Sequence, residues 1–254
     1  MSANDGPAID AIVFDLWGPL MRERREVFGE RARLRYAGVR PVLDRHGIEV
    51  ELEDFTRLHL ESNRIIGQMQ NAGRDITAEE RARHVVYQLA PHAADRLDDD
   101  DLATFVEAYS GAVVATPPEL LEGALEALDG AREHGLGVGL ISNTGVSSGR
   151  HLRQVFEAAG ILDRFDSLVF SDELGVAKPH REVFDRAASE LGVDAASAVF
   201  VGDTPRFDVG PPRRYGWWVV QVGDRGDGDP PAHRRVESVG EVFEALTDLG
   251  LLPQ

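Results

Sequence analysis

At four points along the chain, acids, amides and one amine stand where an apolar run ends. Asp15 closes "AIVFD", Ser142 and Asn143 close "LGVGLISN", and Asp203 closes "AVFVGD", with Asp208 five residues further on. Lys178 stands in "GVAKPHREVF", directly before Pro179 and a helical stretch. Carboxylates brought together repel one another unless a proton or a cation separates them, and an oxygen-only donor set favours Mg²⁺. Asp15 and Asp203 therefore imply a metal ion. Asp208 is placed either to hold the loop or to reach that ion through water. The proline after Lys178 stiffens its backbone, so the ammonium can be aimed at the same place, where it suits a phosphate. Taken singly, each residue has a plainer explanation: an Asp at a strand end is more often a turn or helix cap than a nucleophile. Their joint occurrence at successive strand ends is what points to a site.

These side chains converge only if the runs before them are parallel strands of one sheet, because the carboxyl ends then share the edge where ligands bind. The chain has that pattern. From about residue 116 onward, apolar runs alternate with amphipathic stretches: "LGVGLISNTG", "FDSLVFSDEL", "SAVFVGDT" and "WWVVQVGD" against "VSSGRHLRQVFEAAG", "KPHREVFDRAASELG" and "VGEVFEALTDLG". With the run at 9–15 this predicts five parallel strands, an α/β core with helices on the faces of its sheet. Residues 21–115 carry helical periodicity without a convincing strand, as in "EDFTRLHLESNRIIGQM" and "TAEERARHVVYQLA", where Thr77 and Glu80 can form a capping box. The expected organisation is a core of 1–20 and 116–254 and a helical insert of 21–115, placed to move as a lid. "DDDDLATF" reads as a solvated helix start, and "RERREVFGERARLR" as a solvated helix face in preference to a set of arginines offered to an anion. Trp217 and Trp218 read as packing residues, and the RGD in "GDRGDGDPPAH" as chance.

Composition narrows the partners. A formal charge of -17 repels nucleic-acid phosphates and anionic membranes, while leaving room for a small anion in a locally cationic pocket. The absence of cysteine excludes disulfides and a thiolate nucleophile or ligand. "MSANDGPAID" lacks the basic and apolar regions of a secretory leader, and no apolar run approaches membrane-spanning length, so a cytoplasmic protein is expected. Oligomeric state is not legible.

The segments "VFDLWGPL", "LISNTG", "GVAKP" and "VGDTPRFD", in that order and spacing, resemble the four motifs of the haloacid dehalogenase-like hydrolases across nearly the whole chain. The resemblance implies a Rossmann-like core with helices on both faces and, because the insert lies between the first and second motifs, a helical cap over the active site. It implies Asp15 as a nucleophile forming an aspartyl phosphate, and Ser142 with the Asn143 backbone as holders of the phosphoryl oxygens. It further implies Lys178 as the neutralising cation, and Mg²⁺ on Asp15, Asp203 and the Trp17 carbonyl with Asp208 in support. The expected activity is Mg²⁺-dependent hydrolysis of a small phosphorylated metabolite.

The departures from the family pattern lie in the first motif. Family phosphatases usually carry a second Asp at the position of Trp17, which protonates the leaving oxygen, and a Thr where this chain has Pro19. Indole can do neither half of that proton transfer. Its loss implies a slow enzyme, a good leaving group, or a replacement acid, for which His180, His46 and His59 are the candidates. If the Trp17 indole faces the cleft, it makes an apolar wall on the leaving-group side. Haloacid dehalogenases carry an aromatic Tyr there, which makes metal-independent dehalogenation of a 2-haloacid the first alternative, although Asp203 beside a carboxylate substrate is a liability for it. A catalytically silent member of the family that binds a phosphorylated ligand or a protein is the second.

Overall fold

The structure is a computed structural model that describes residues 9–253. The first eight residues, which fall in the expected core segment 1–20, lie outside the described residues. The chain runs β1 (Ala11–Phe14), β2 (Met21–Arg22), then α1 (Phe28–Arg45), α2 (Leu52–Asn71), α3 (Ala78–Leu89), α4 (Pro91–Ala94) and α5 (Asp99–Ala115). It continues through β3 (Glu119–Leu120), α6 (Ala124–Glu133), β4 (Gly137–Ser142), α7 (Gly149–Ala158), β5 (Ser167–Phe170), α8 (Ser171–Leu174) and α9 (Arg181–Leu191). The last elements are β6 (Ala198–Gly202), α10 (Gly210–Arg214), β7 (Trp218–Val222), β8 (Arg234–Val236) and α11 (Val242–Asp248).

Six strands form one parallel sheet in the order β5, β4, β1, β6, β7, β8. All four residues of β1 and all five of β6 are buried, as the unbroken apolar runs predict for strands covered on both faces. Ile12 and Phe14 face one layer, with Leu128, Leu152, Phe156 and Leu246 from α6, α7 and α11. Val13 faces the other, with Val183, Phe184 and Trp217. Each such side chain contributes about 1.5–3 kcal/mol through burial. Five strands were expected and six are present. The sixth, β8, is an edge strand whose Arg234 and Arg235 are exposed, so it carries no apolar run. Trp217 is 1% exposed in the core and Trp218 packs on His233, so both are packing residues.

Helices α1 to α5 assemble their own apolar cluster, which includes Val39, Phe55, Val85, Phe105 and Tyr109. The expected capping box at the start of α3 is complete, with Thr77 Oγ1 accepting from the Glu80 amide and Glu80 accepting from the Thr77 amide. The acidic run caps α5 through Asp98, while Asp101 turns inward to Arg45 and to His46, 2.5 Å away. The chain enters and leaves this helical segment through β2 and β3, which pair antiparallel at Met21–Leu120 and Arg22–Glu119. A third connection lies between α2 and α3. There the Asp75 amide donates to the Gly175 carbonyl at 3.0 Å and the Ala177 amide to the Gly73 carbonyl at 3.1 Å. The Asp75 carboxylate adds the Ser171 hydroxyl at 2.6 Å.

Candidate active site

Strand register sets the site. Phe14 pairs with Leu140 on one side and with Val201 on the other, so Asp15, Ser142 and Asp203 leave three adjacent strands at nearly one level. Lys178 arrives from the loop between α8 and α9, held by a reciprocal pair of bonds: its amide donates to Asn143 Oδ1 at 2.7 Å and its carbonyl accepts from Asn143 Nδ2 at 3.0 Å. The Lys178 ammonium then donates to Asp15 Oδ1 at 2.6 Å and to Asp208 Oδ1 at 2.7 Å. Asp203 completes a cluster in which oxygens of Asp15, Asp203 and Asp208 all lie within 4.8 Å of one another, and all three residues are buried.

Two glycines make this closeness possible. Gly18 has φ +108°, a conformation that L side chains rarely adopt, and a Cβ there would stand 2.1 Å from Asp203 Oδ2. The Trp17–Gly18 backbone is thereby pressed against the carboxylate. At Gly202 a Cβ would stand 2.3 Å from the Asp208 Cβ, so this glycine lets Asp208 fold back over its own strand. Thr204 fixes both acids, donating from its hydroxyl to Asp203 at 2.7 Å and from its amide to Asp208 at 2.9 Å. Arg225, in the RGD tripeptide first read as chance, reaches Asp203 Oδ2 at 3.0 Å.

Three buried carboxylates against one buried ammonium and the exposed Arg225 guanidinium leave the cluster short of positive charge. Burial pushes the Asp15 carboxyl up to about 7, against the pull of Lys178 and with the repulsion of Asp208 and Asp203 added. Asp203 is raised as well, by burial first. Lys178 would be lowered by burial, but Asp15 and Asp208 hold it above its ordinary value. A divalent cation on these oxygens would relieve the deficit, and the all-oxygen set fits Mg²⁺.

The cluster opens into a cavity of about 1050 Å³ lined by Asp15, Trp17, Asn143, Lys178, Asp203 and Asp208 among others. Ser142 is buried, and its Oγ has no hydrogen-bond partner among the described residues. The three histidines do not join this cluster. His180 caps α9 at the surface, accepting from the Glu182 amide. His46 is tied to Asp101. His59 is buried against Tyr109, and burial, then Arg35 and Arg81, lower it to about 3, so it is a neutral imidazole, not an imidazolium acid, at neutral pH.

Residues 9–216 match the family model of the haloacid dehalogenase-like hydrolases. The chain belongs to that family. As a haloacid dehalogenase-like hydrolase it resembles the pyrimidine 5'-nucleotidase YjjG of Escherichia coli (strain K12), 38% identical over 106 residues, 41% of this chain and 44% of that one. It also resembles the phosphoserine phosphatase of Thermus thermophilus, 35% identical over 119 residues, 45% of this chain and 46% of that one. Each of these matches spans under half of either protein. Among solved structures, a HAD phosphatase from Thermococcus onnurineus superposes with a TM-score of 0.65 at 18% identity, covering 94% of this chain and 98% of that one. A 2-haloacid dehalogenase from Pseudomonas syringae pv. Tomato DC3000 gives 0.64 at 19%, covering 94% and 99%, so the shared fold spans both chemistries. No helix among the described residues is long and apolar enough to cross a membrane.

Sequence reasoning placed Asp15, Asn143, Lys178, Asp203 and Asp208 together, and they are together. It missed Thr204, Gly18 and Arg225, of which only the "GDT" context of Thr204 offered a signal. The arginines after β1 depart from a wholly solvated face. Arg31 and Arg35 are 3% and 8% exposed, because Thr116 and Tyr109, far along the chain, receive them.

Proposed function

We propose that this hydrolase is an Mg²⁺-dependent phosphatase acting through phosphorylated Asp15. The observation that carries this is the cluster itself: a carboxylate at a strand end, touched by a buried ammonium and crowded by two further carboxylates that call for a cation. The relatives named as phosphatases support the same reading. In this scheme Asp15, Asp203 and the Trp17 carbonyl would hold Mg²⁺ with Asp208 in support, and the ion would supply charge neutralisation for the incoming phosphate and the transferring phosphoryl group.

The chain's own residues do the rest. An Asp15 oxygen attacks phosphorus, the bond to the leaving oxygen breaks with its electron pair, and an aspartyl phosphate forms. Lys178 keeps its proton and stabilises the charge that builds between Asp15 and the phosphoryl oxygens. Ser142 Oγ, buried without a partner, together with the Asn143 backbone, donates to those oxygens. Water then attacks the phosphorus, and phosphate leaves with Asp15 restored as a carboxylate. Trp17 lines the cavity where a proton donor would stand, and Glu23, the next acid along the chain after Asp15 to line that cavity, is committed to Arg31 by two contacts of 2.7 Å. The scheme therefore favours substrates whose leaving oxygen departs without a proton, such as aryl and enol phosphates.

We take residues 21–115 as the cap that chooses the substrate and 1–20 with 116–254 as the catalytic core. Dehalogenation is the weaker reading, because a haloacid carboxylate would enter a site already short of positive charge. Incubation with 4-nitrophenyl phosphate, with and without Mg²⁺, tests the choice. Mg²⁺-dependent release of nitrophenol, with a trapped phosphoryl adduct on Asp15 by mass spectrometry, is expected. Absence of both, or chloride release from a 2-haloacid without metal, overturns it.

A further inference from the structure

Behind the reacting cavity lies a second chamber of about 670 Å³, which shares Trp17, Glu23, Phe28, Gln70 and Asn143 with it and reaches inward to Arg35, His59 and Asn63. Its charge balance is unusual. Among the described residues four Lys or Arg side chains are buried: Arg31, Arg35, Arg81 and Lys178. Arg31 has Glu23, Arg81 has Asp75, and Lys178 has Asp15 and Asp208. Arg35 has no carboxylate. Its Nε donates to the Tyr109 carbonyl at 3.0 Å and its Nη1 approaches His59 Nε2 at 3.3 Å, which leaves the Nη2 edge of the guanidinium without a partner.

The neighbours leave that charge without a counter-ion, with only the Tyr109 ring beside it, 5.8 Å from the guanidinium carbon to the ring centroid. His59 Nε2 also faces Asn63 Nδ2 at 3.1 Å, so two donors point at it and it is the bare nitrogen. Nδ1 then carries the hydrogen and donates to the Tyr109 hydroxyl, 2.5 Å away. The imidazole is neutral, and Glu23 cancels Arg31, so the chamber holds one net positive charge. Asn63 Oδ1 is buried and has no hydrogen-bond partner. A buried charge left unpaired is costly, which makes an anion from outside the chain the natural complement.

We propose that this chamber seats a carboxylate of the substrate on the free edge of Arg35. The leaving group would then be an apolar body bearing one carboxylate, enclosed by Trp17, Phe28, Leu60 and Val146. The identification of the phosphate end rests on the phosphatase reading; the carboxylate end rests on Arg35 alone. One net charge and a planar fork match a carboxylate. A phosphate dianion would be left half-compensated beside Glu23.

The test is calorimetric titration of the full-length protein in Mg²⁺ with benzoate and with its neutral isostere benzamide. Benzoate is expected to bind at least about tenfold more tightly than benzamide, and Arg35→Gln to weaken benzoate by about 10- to 100-fold, the range for a charge-assisted hydrogen bond. Arg35→Lys should recover part of the loss. Equal affinity for benzoate and benzamide in the native protein, a comparison that needs no variant, overturns the proposal, as does unchanged benzoate binding in a folded Arg35→Gln protein. If benzoate binds through Arg35 but no phosphate ester is turned over, the subsite stands and the phosphatase reading falls. Turnover of 4-nitrophenyl phosphate without benzoate selectivity gives the reverse.

Discussion

Replacing Lys178 by Met removes the single ammonium that separates Asp15 from Asp208 while keeping a side chain of similar length. Lys178 is 2% exposed and makes contacts of 2.6 and 2.7 Å, so nothing but the chain can take its place. Removing one partner of a buried ion pair costs about 3–5 kcal/mol, because the charges left behind are neither solvated nor paired. The loss should appear in urea unfolding of the metal-free protein at pH 8 as a lower midpoint with an unchanged slope. For a chain of this size it corresponds to a melting temperature lower by roughly 6–20 °C. The pH dependence identifies the cause. Asp15 already has its pKa raised to about 7, and without Lys178 it rises further, so the folded variant takes up protons that the unfolded chain does not. Its stability relative to the native protein should therefore improve as pH falls from 8 to 5, where protonation discharges the cluster. Asp208→Asn added to Lys178→Met should recover part of the loss at pH 8. A deficit below about 1 kcal/mol, or one independent of pH, would show that the ammonium does not balance these carboxylates and would refute the electrostatic account of the site.

Three further outcomes are expected. Gly18→Ala puts a methyl 2.1 Å from Asp203 Oδ2 at a φ of +108°, so it should displace Asp203 and abolish Mg²⁺ binding measured by Mn²⁺ competition, and intact binding would contradict the role given to that carboxylate. Trp17→Asp should raise turnover of alkyl phosphates by about 100- to 10,000-fold, the range for general acid–base catalysis, with little effect on aryl phosphates. His59 has its pKa lowered to about 3 in the folded protein, so its contribution to stability is lost as pH falls below about 6.5. His59→Asn should unfold less steeply between pH 7 and pH 5 in thermal melts, and an identical pH slope would place that acid sensitivity elsewhere.

The parts of the fold that could be seen in the sequence are those written in local patterns. β1, β4, β6 and β7 are short apolar runs with polar exits, and the glycines at 160 and 192 adopt the positive φ that stops α7 and α9. Asp15 and Asp203 were visible because each stands at the end of such a run, and Asp208 because it follows Asp203 by five residues. What escaped was written in distant partners. Arg31 and Arg35 lie among glutamates at helical spacing and look solvated until Thr116 and Tyr109 return from the far end of α5 to cover them. β8 escaped because an edge strand needs no apolar alternation, and Arg225 because a loop rich in Gly and Asp gives no sign of where it folds back.

The bonds between Gly73–Asp75 and Gly175–Ala177 change what motion the helical segment can have. A flap joined to its base only through β2 and β3 swings freely about that double thread. This one is also pinned at its far side, one residue from Lys178, and again where Arg206 donates to the Asn71 carbonyl at 2.9 Å. Lifting it as a rigid body would break those bonds and pull on the strand of chain that carries the ammonium. The segment is thus better described as a roof bonded to its base on both sides than as a free flap, with its α2–α3 turn tied to the stretch of chain that ends at the lysine.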